Sequence, residues 1–199
     1  MASAFTHIFE NFDKTLDSAT IDLFRMSFEG SLKHREDDLV NELSSLTKDN
    51  YEDHPDINGY EMHLEDLIGE VYTVRKLGYE LCVVALYKQI EIHCKKVVKH
   101  SGLYGDKQTL NMRELEKMLP FKFNVLPEFS AYEELRLLNN IIKHNGCVTA
   151  MLAKKLSSWK RDAELTDLDK SYDRLLPLVK LFVKGFALEI HKIAKTSNK

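Results

Sequence analysis

His144, Asn140 and Arg136 are the residues of this chain whose types and spacing could do chemistry together. They lie in the segment 133–146, EELRLLNNIIKHNG, which reads as the end of a helix with two different faces, stopped by Asn145-Gly146, whose residue types tolerate a left-handed backbone. At about 100° per residue, Leu135, Leu137, Leu138, Ile141 and Ile142 gather on an apolar side. Glu133, Arg136, Asn139, Asn140, Lys143 and His144 gather on a polar side. Arg136, Asn140 and His144 follow i,i+4 spacing and form a ridge, with Glu133 placed to pair with Arg136. A histidine beside a cation is what RNA phosphodiester cleavage needs. The imidazole moves a proton on or off the 2′-hydroxyl or the leaving oxygen, and the cation stabilises charge on the phosphorus oxygens. The same residues would also serve as a solvated helix face, or as polar contacts to a neighbouring helix, and spacing alone leaves both open.

The string Asn139-Asn140-Ile141-Ile142-Lys143-His144 resembles the signature of the HEPN superfamily. These are all-helical domains with an arginine followed after four to six residues by a histidine, often written RNxxxH, near a helix C-terminus. Asn140 and His144 match the motif's Asn and His, and its Arg position holds Asn139. The stretch 81–98, LCVVALYKQIEIHCKKVV, is similar to the family's first bundle helix, an apolar-aromatic run followed by a glutamate, here Glu91. The resemblance spans roughly residues 60–191. It implies an RNA-cleaving protein acting without metal, of the kind found in toxin–antitoxin and antiviral defence systems. It also implies a homodimer that brings two motif helices together, and a protein partner such as an antitoxin. On this implication His144 is the general acid/base, Asn140 orients it or the phosphate, and Glu91 holds the site in order. Asn139 carries no positive charge, so Arg136, about 12 Å back along the axis, Lys143, or a cation from a partner chain would stand in for it. Such families also contain inactive binding or scaffold forms. The resemblance therefore leaves two functions: an endoribonuclease, and a non-catalytic helical interaction module.

The whole chain sets the bounds. Its 199 residues suit one domain, or one with a helical extension, and 44% apolar residues are ample for a core. With 31 acidic and 28 basic residues, no general attraction to nucleic acid or anionic membrane is expected, so any polyanion contact must come from a local patch. The opening MASAFTHIFENFDK has neither the basic start nor the apolar run of a signal peptide. No window approaches the ~20 apolar residues of a membrane span. Cys82, Cys94 and Cys147 form no CxxC pair and read as reduced cysteines, two of them in the core. A cytoplasmic protein is expected. The eight histidines show no HExxH or other ligand spacing, and no Gly-rich phosphate loop or nucleophile elbow occurs. Neither a metal nor a cofactor is expected.

The elements that would position the ridge are read from apolar spacings of three and four, punctuated by only 4 prolines and 8 glycines. A short helix is expected over 4–16, striped by Phe5, Phe9 and Phe12. A second follows Ser18 or Thr20 through Leu46, with a charged, solvated middle, KHREDD. The segment 51–59 is expected as a loop, since Pro55 and Asn58-Gly59 break regular structure. A long helix covers about 60–100, apolar all round at 81–86; as one piece it would run ~60 Å, and Gly69 and Gly78 are the places where it could break. Residues 101–107 form a turn and 112–118 a short helix. Pro120 and Pro127 bracket an irregular link, and Ser130 is placed to cap the helix that carries the ridge. Another helix is expected within 148–156. A final helix starts at Asp167 or Asp169, with Pro177 near its start, and ends in a frayed KTSNK tail. The fold expected is an all-α, HEPN-like helical bundle over 59–199, with an N-terminal helical pair over 1–58 packed on it.

Overall fold

Capping groups and left-handed residues written into the sequence decide where the helices begin and end. In the computed structural model of the chain, the described residues are 10–46, 56–103, 111–144 and 146–197. They form α1 (Ala19–Ser45), α2 (Ile57–Ser101), α3 (Met112–Met118), a 3-10 turn (Phe123–Val125), α4 (Phe129–His144), α5 (Ala150–Lys155) and α6 (Leu168–Ser197). The architecture is all-α. The extended pairing found among the described residues is an isolated antiparallel bridge between Cys147 and Glu164. None of the helices described is long and apolar enough to cross a membrane.

Asn111 accepts the N–H groups of Arg113 and Glu114, both at 3.1 Å, and so starts α3. Thr149 does the same for α5 through the Leu152 N–H. Asp167, at φ 51°, gives its carbonyl to the Ser171 N–H at 3.0 Å and opens α6. Several boundaries differ from expectation. Asp56 accepts the Gly59 N–H at 2.8 Å, so α2 starts at Ile57 and Asn58-Gly59 belong to its first turn. Residues 51–55 of the expected loop, and 104–107 of the expected turn, lie outside the described residues. No break occurs at Gly69 or Gly78: α2 is one helix to Ser101, since a helical glycine costs only about 1 kcal/mol. Ser130 sits inside the first turn of α4 rather than capping it. Glu128, at φ 54°, offers its carbonyl to the N–H groups of Ala131 and Tyr132 instead. Pro177 falls in the third turn of α6, and that helix continues through Ser197, so residues 195–197 are not a frayed tail. Of the expected first helix, residues 10–13 are helical and 4–9, with Phe5 and Phe9, lie outside the described residues. Phe12 is 69% exposed while Leu16 is buried, so Phe12 is not part of a core stripe.

The chain divides into two compact units, Ala19–Cys82 on the one hand and Met1–Ser18 with Val83–Lys199 on the other. In the first, the helices on either side of the 51–59 segment pack on each other. Leu39, Leu64 and Val71 are buried among Leu32, Leu43, Leu67 and Ile68. Tyr60 hydrogen-bonds Glu42, and Arg75 pairs with Glu36 at 2.7 Å. Glu36 excepted, the charged residues of KHREDD are exposed, the solvated face that their composition predicts.

The second unit holds the larger core. Val83, Leu86, Ile90, Cys94 and Val97 of α2 are buried, with Leu135, Leu138 and Ile141 of α4 and Leu175, Val179, Phe182, Phe186 and Ile190 of α6. Leu81 is half exposed, so α2 is not buried on every side there. The three cysteines are free thiols, with Cys82 and Cys94 buried and Cys147 exposed; burial pushes the Cys82 thiol up to about 11. At the edge of this core, buried Asp13 accepts from His100 Nδ1 at 2.8 Å and His191 Nε2 at 2.9 Å. The Asp13 carbonyl accepts from His93 Nε2 at 2.7 Å, and Glu10 pairs with Lys195.

Gly185 of α6 fixes the link that leads into α4. A Cβ there would lie 2.4 Å from Pro127 Cδ and 2.5 Å from Cγ, and a proline ring cannot turn aside as a flexible chain end can. Gly185→Ala is therefore expected to lower the unfolding free energy by about 1–3 kcal/mol, the usual cost of overpacking. Urea unfolding of the variant beside wild type measures it, and an unchanged midpoint would contradict the close approach.

Candidate functional site

Helix α4 presents its two faces as the sequence pattern requires, with one rotation in detail. Ala131, Tyr132, Leu135, Leu137, Leu138 and Ile141 are buried, and so are Glu134 and Asn139. Tyr132 stacks on Phe182 of α6, centroids 4.3 Å apart and planes 4° from parallel. Glu134, 2% exposed, is paid for by three donors: Arg174 Nη1 at 3.0 Å, Arg174 Nη2 at 2.6 Å and Trp159 Nε1 at 2.9 Å. A buried carboxylate is stable only with such partners. The helix ends where expected: Gly146, at φ 68°, donates its N–H to the Ile141 carbonyl at 2.9 Å, a closure that glycine's left-handed backbone allows.

The opposite face lines a cleft of about 640 Å³. Arg136, Asn140 and His144 form one wall, and Asn111, Met112, Arg113 and Glu116 of the α3 segment form the other. Tyr87, Phe123, Phe129 and Tyr132 contribute aromatic surface. Phe123 meets Tyr132 edge-on at 5.9 Å, and Tyr87 lies over Tyr132 at 6.2 Å. Burial raises the pKa of both the Tyr87 and Tyr132 hydroxyls, which stay neutral donors. A second hollow of about 260 Å³ is lined by the same Arg113, Arg136, Asn140 and His144, together with Leu137, Ile141, Thr149 and Met151. The four polar residues are thus shared by two adjoining lobes, one aromatic and one aliphatic.

The charges of the cleft are unequally engaged. Arg136 donates from Nε to Glu133 Oε2 at 2.6 Å and from Nη2 to Oε1 at 2.8 Å. Lys155 reaches the same Oε1 at 2.5 Å. Burial works to raise the Glu133 carboxyl, but the hydrogen bonds from Arg136 and Lys155 outweigh it and hold the group below its ordinary value of 4.5. The Glu133 hydrogen bond in turn raises Arg136. Glu116 turns one oxygen to the Phe123 N–H at 2.9 Å. Arg113 and His144 are exposed and make no side-chain hydrogen bond or ion pair among the described residues.

Of the residues singled out in the sequence, Arg136, Asn140 and His144 therefore come together on one open wall. Asn139 does not join them. It is 2% exposed; its Nδ2 donates to Asn140 Oδ1 at 3.4 Å, and its own Oδ1 has no partner among the described residues. One helical step of about 100° separates it from Asn140 and turns it into the core, so its placement on the polar side is corrected. Glu91 lies one turn beyond Tyr87 on α2, outside the cleft lining. Its carboxylate is held by Lys88 at 3.1 Å and Lys95 at 3.4 Å. Lys143 is exposed and lines neither lobe. Sequence reasoning missed Tyr87, Asn111 and Arg113, which reach the cleft through tertiary packing, and Tyr132, which stands one turn before Arg136 on the same i,i+4 ridge. Among these, the Asn cap before α3 was the one local signal that could have oriented Arg113.

Comparison with protein-family models, with curated proteins and with solved structures finds no match to this chain.

The Glu133 pairing carries a pH dependence of known sign. Because folding lowers this carboxyl's pKa, its contribution is complete above about 4.5 and is lost as pH falls through the lower folded value. Glu133→Gln is expected to cost about 1–3 kcal/mol at pH 7, and less at an acid pH below the lowered folded value. Urea unfolding of both proteins at the two pH values reads this. A deficit that is equal at both would contradict the assignment.

Proposed function

We propose that this cleft engages single-stranded RNA, and that His144 acts in it as the general acid/base of a metal-independent, HEPN-type endoribonuclease in a defence or toxin-like system. The observation that carries the reading is the position of His144. Its imidazole stands exposed at the cleft wall, one turn from Asn140 and two from Arg136, and pairs with no carboxylate among the described residues. A histidine built into the core as a structural contact would be covered and hydrogen-bonded, as His191 is by Asp13.

The chemistry follows from that placement. Neutral imidazole accepts the proton of an RNA 2′-hydroxyl, whose oxygen attacks the adjacent phosphorus. The bond from phosphorus to the 5′-oxygen breaks as the new bond forms, leaving a 2′,3′-cyclic phosphate. The imidazolium, or water in exchange with it, returns a proton to the departing 5′-oxygen. Asn140 can donate an amide N–H to a phosphate oxygen. The aromatic lobe suits a base stacked face-on, which tolerates any sequence. Because a second lobe continues beyond His144, chain can extend on both sides of the cut, as internal cleavage requires.

The second reading, a non-catalytic module that docks a protein partner on the same face, draws on a different observation. Asn139 is neutral and buried, and Arg136 is already engaged by Glu133. The two readings separate in one assay. Purified wild type in EDTA is expected to cleave single-stranded RNA, and His144→Ala to cleave it about 10²–10⁴-fold more slowly with its helical content retained. Equal rates would contradict a catalytic His144, and no cleavage by either protein would favour the docking module.

A further inference from the structure

We propose that Arg113, on α3, is the cation that binds the scissile phosphate, supplying from a separate helix the positive charge that α4 lacks. The inference rests on the RNA reading of the cleft and adds to it a residue outside any motif of the sequence. Three observations converge on it.

First, the position where the resemblance calls for an arginine faces the core here. Asn139 is 2% exposed, so a guanidinium in its place would be a buried charge, costly to desolvate and not presented to the cleft. The chain therefore needs its cation elsewhere. Second, the nearest cation on α4 is compromised. Arg136 spends two of its N–H groups on Glu133, in a bidentate pair with oxygens at 2.6 and 2.8 Å. Phosphate would have to compete with a carboxylate already in place. Third, Arg113 has the opposite character: exposed, unpaired among the described residues, and lining both lobes of the groove beside Asn140 and His144. A group that borders both lobes stands where the backbone of a bound strand must pass from one to the other. Arg113 forms no ion pair with Glu116, three residues on along α3, or with Glu133. Glu133 is satisfied by Arg136 and Lys155, and Glu116 points an oxygen to the Phe123 backbone. Guanidinium is also the group best matched to two phosphate oxygens at once.

The geometry thus divides the work. Arg113 holds the phosphate from the α3 side, His144 moves the proton from the α4 side, and an unpaired base lies on the aromatic surface. The Asn111 cap keeps Arg113 in place: its Oδ1 accepts the backbone N–H of Arg113 itself, so the arginine sits in a fixed first turn.

The test uses a short fluorescein-labelled single-stranded RNA and the full chain, with anisotropy measured across a salt series. Arg113→Ala is expected to bind about 10-fold more weakly. Its slope of log affinity against log salt should be shallower by about 0.7, one phosphate contact to a single strand. Arg113→Lys should recover the slope and only part of the affinity. In the cleavage assay the alanine variant should be slower by about 10²–10³-fold. Wild type that binds, with Arg113→Ala matching it in affinity and slope, overturns the role of Arg113 and leaves the RNA reading standing. Wild type that binds no RNA overturns both. The side chain is exposed and the Asn111 cap uses only its backbone, so the variants keep the wild-type melting profile.

Discussion

The rotation of helix α4 about its own axis is the constraint on which the candidate site depends. Two interactions set it. Tyr132 lies flat on Phe182, and the buried Glu134 is gripped by Arg174 and Trp159. Either alone would restrain the helix, and together they fix which residues face inward. With about 100° between successive side chains, the inward positions then dictate the outward ones, and Arg136, Asn140 and His144 are left in line along the cleft. The opposite wall is held by similar means. Asn111 starts α3, Glu116 ties that helix to the 3-10 turn, and Gly185 lets Pro127 close down before α4 begins. A site made of exposed side chains is thus positioned by buried ones.

The parts legible in the sequence are those that local physics determines. Helical periodicity gives the all-α class. Residue-level signals narrow the start of α6 to Asp167 or Asp169, and give the span of α3 and the Gly146 stop of α4. The ridge on α4 was visible because four-residue spacing is itself a structure. What was hidden came from elsewhere in the chain. Arg113 and Tyr87 reach the cleft only through packing, and beyond the Asn111 cap nothing in their neighbouring residues announces it. The Asp13 cluster joins residues 13, 93, 100 and 191, separations at which no pattern can be read. Asn139 was misplaced because a helical wheel divides polar from apolar by residue type. The fold instead buried a polar amide on the flank of the apolar face.

That burial changes what the degenerate motif means. A neutral residue at 139 suggests a lost catalytic group when the motif is read as a string. Within the fold, position 139 is a core position of this helix, and the question becomes where a cation can be exposed to the groove. Arg136 is present but engaged, Lys143 lines neither lobe, and Arg113 is open. A cleft with equal numbers of arginines and glutamates among its lining residues still presents an open cation when one carboxylate is paired with Arg136 and Lys155 and the other is turned to a backbone N–H. Local pairing, rather than net charge, decides the field that a ligand meets.

The central claim is that single-stranded RNA lies in this cleft, and photo-crosslinking tests it most directly. RNA carrying 4-thiouridine would be bound to the protein, irradiated and digested, and the crosslinked peptides identified. The account predicts crosslinks within residues 111–144 and around Tyr87, along the cleft that runs from the aromatic surface to His144. Crosslinks confined to residues 19–82, or spread without preference over the surface, would contradict it.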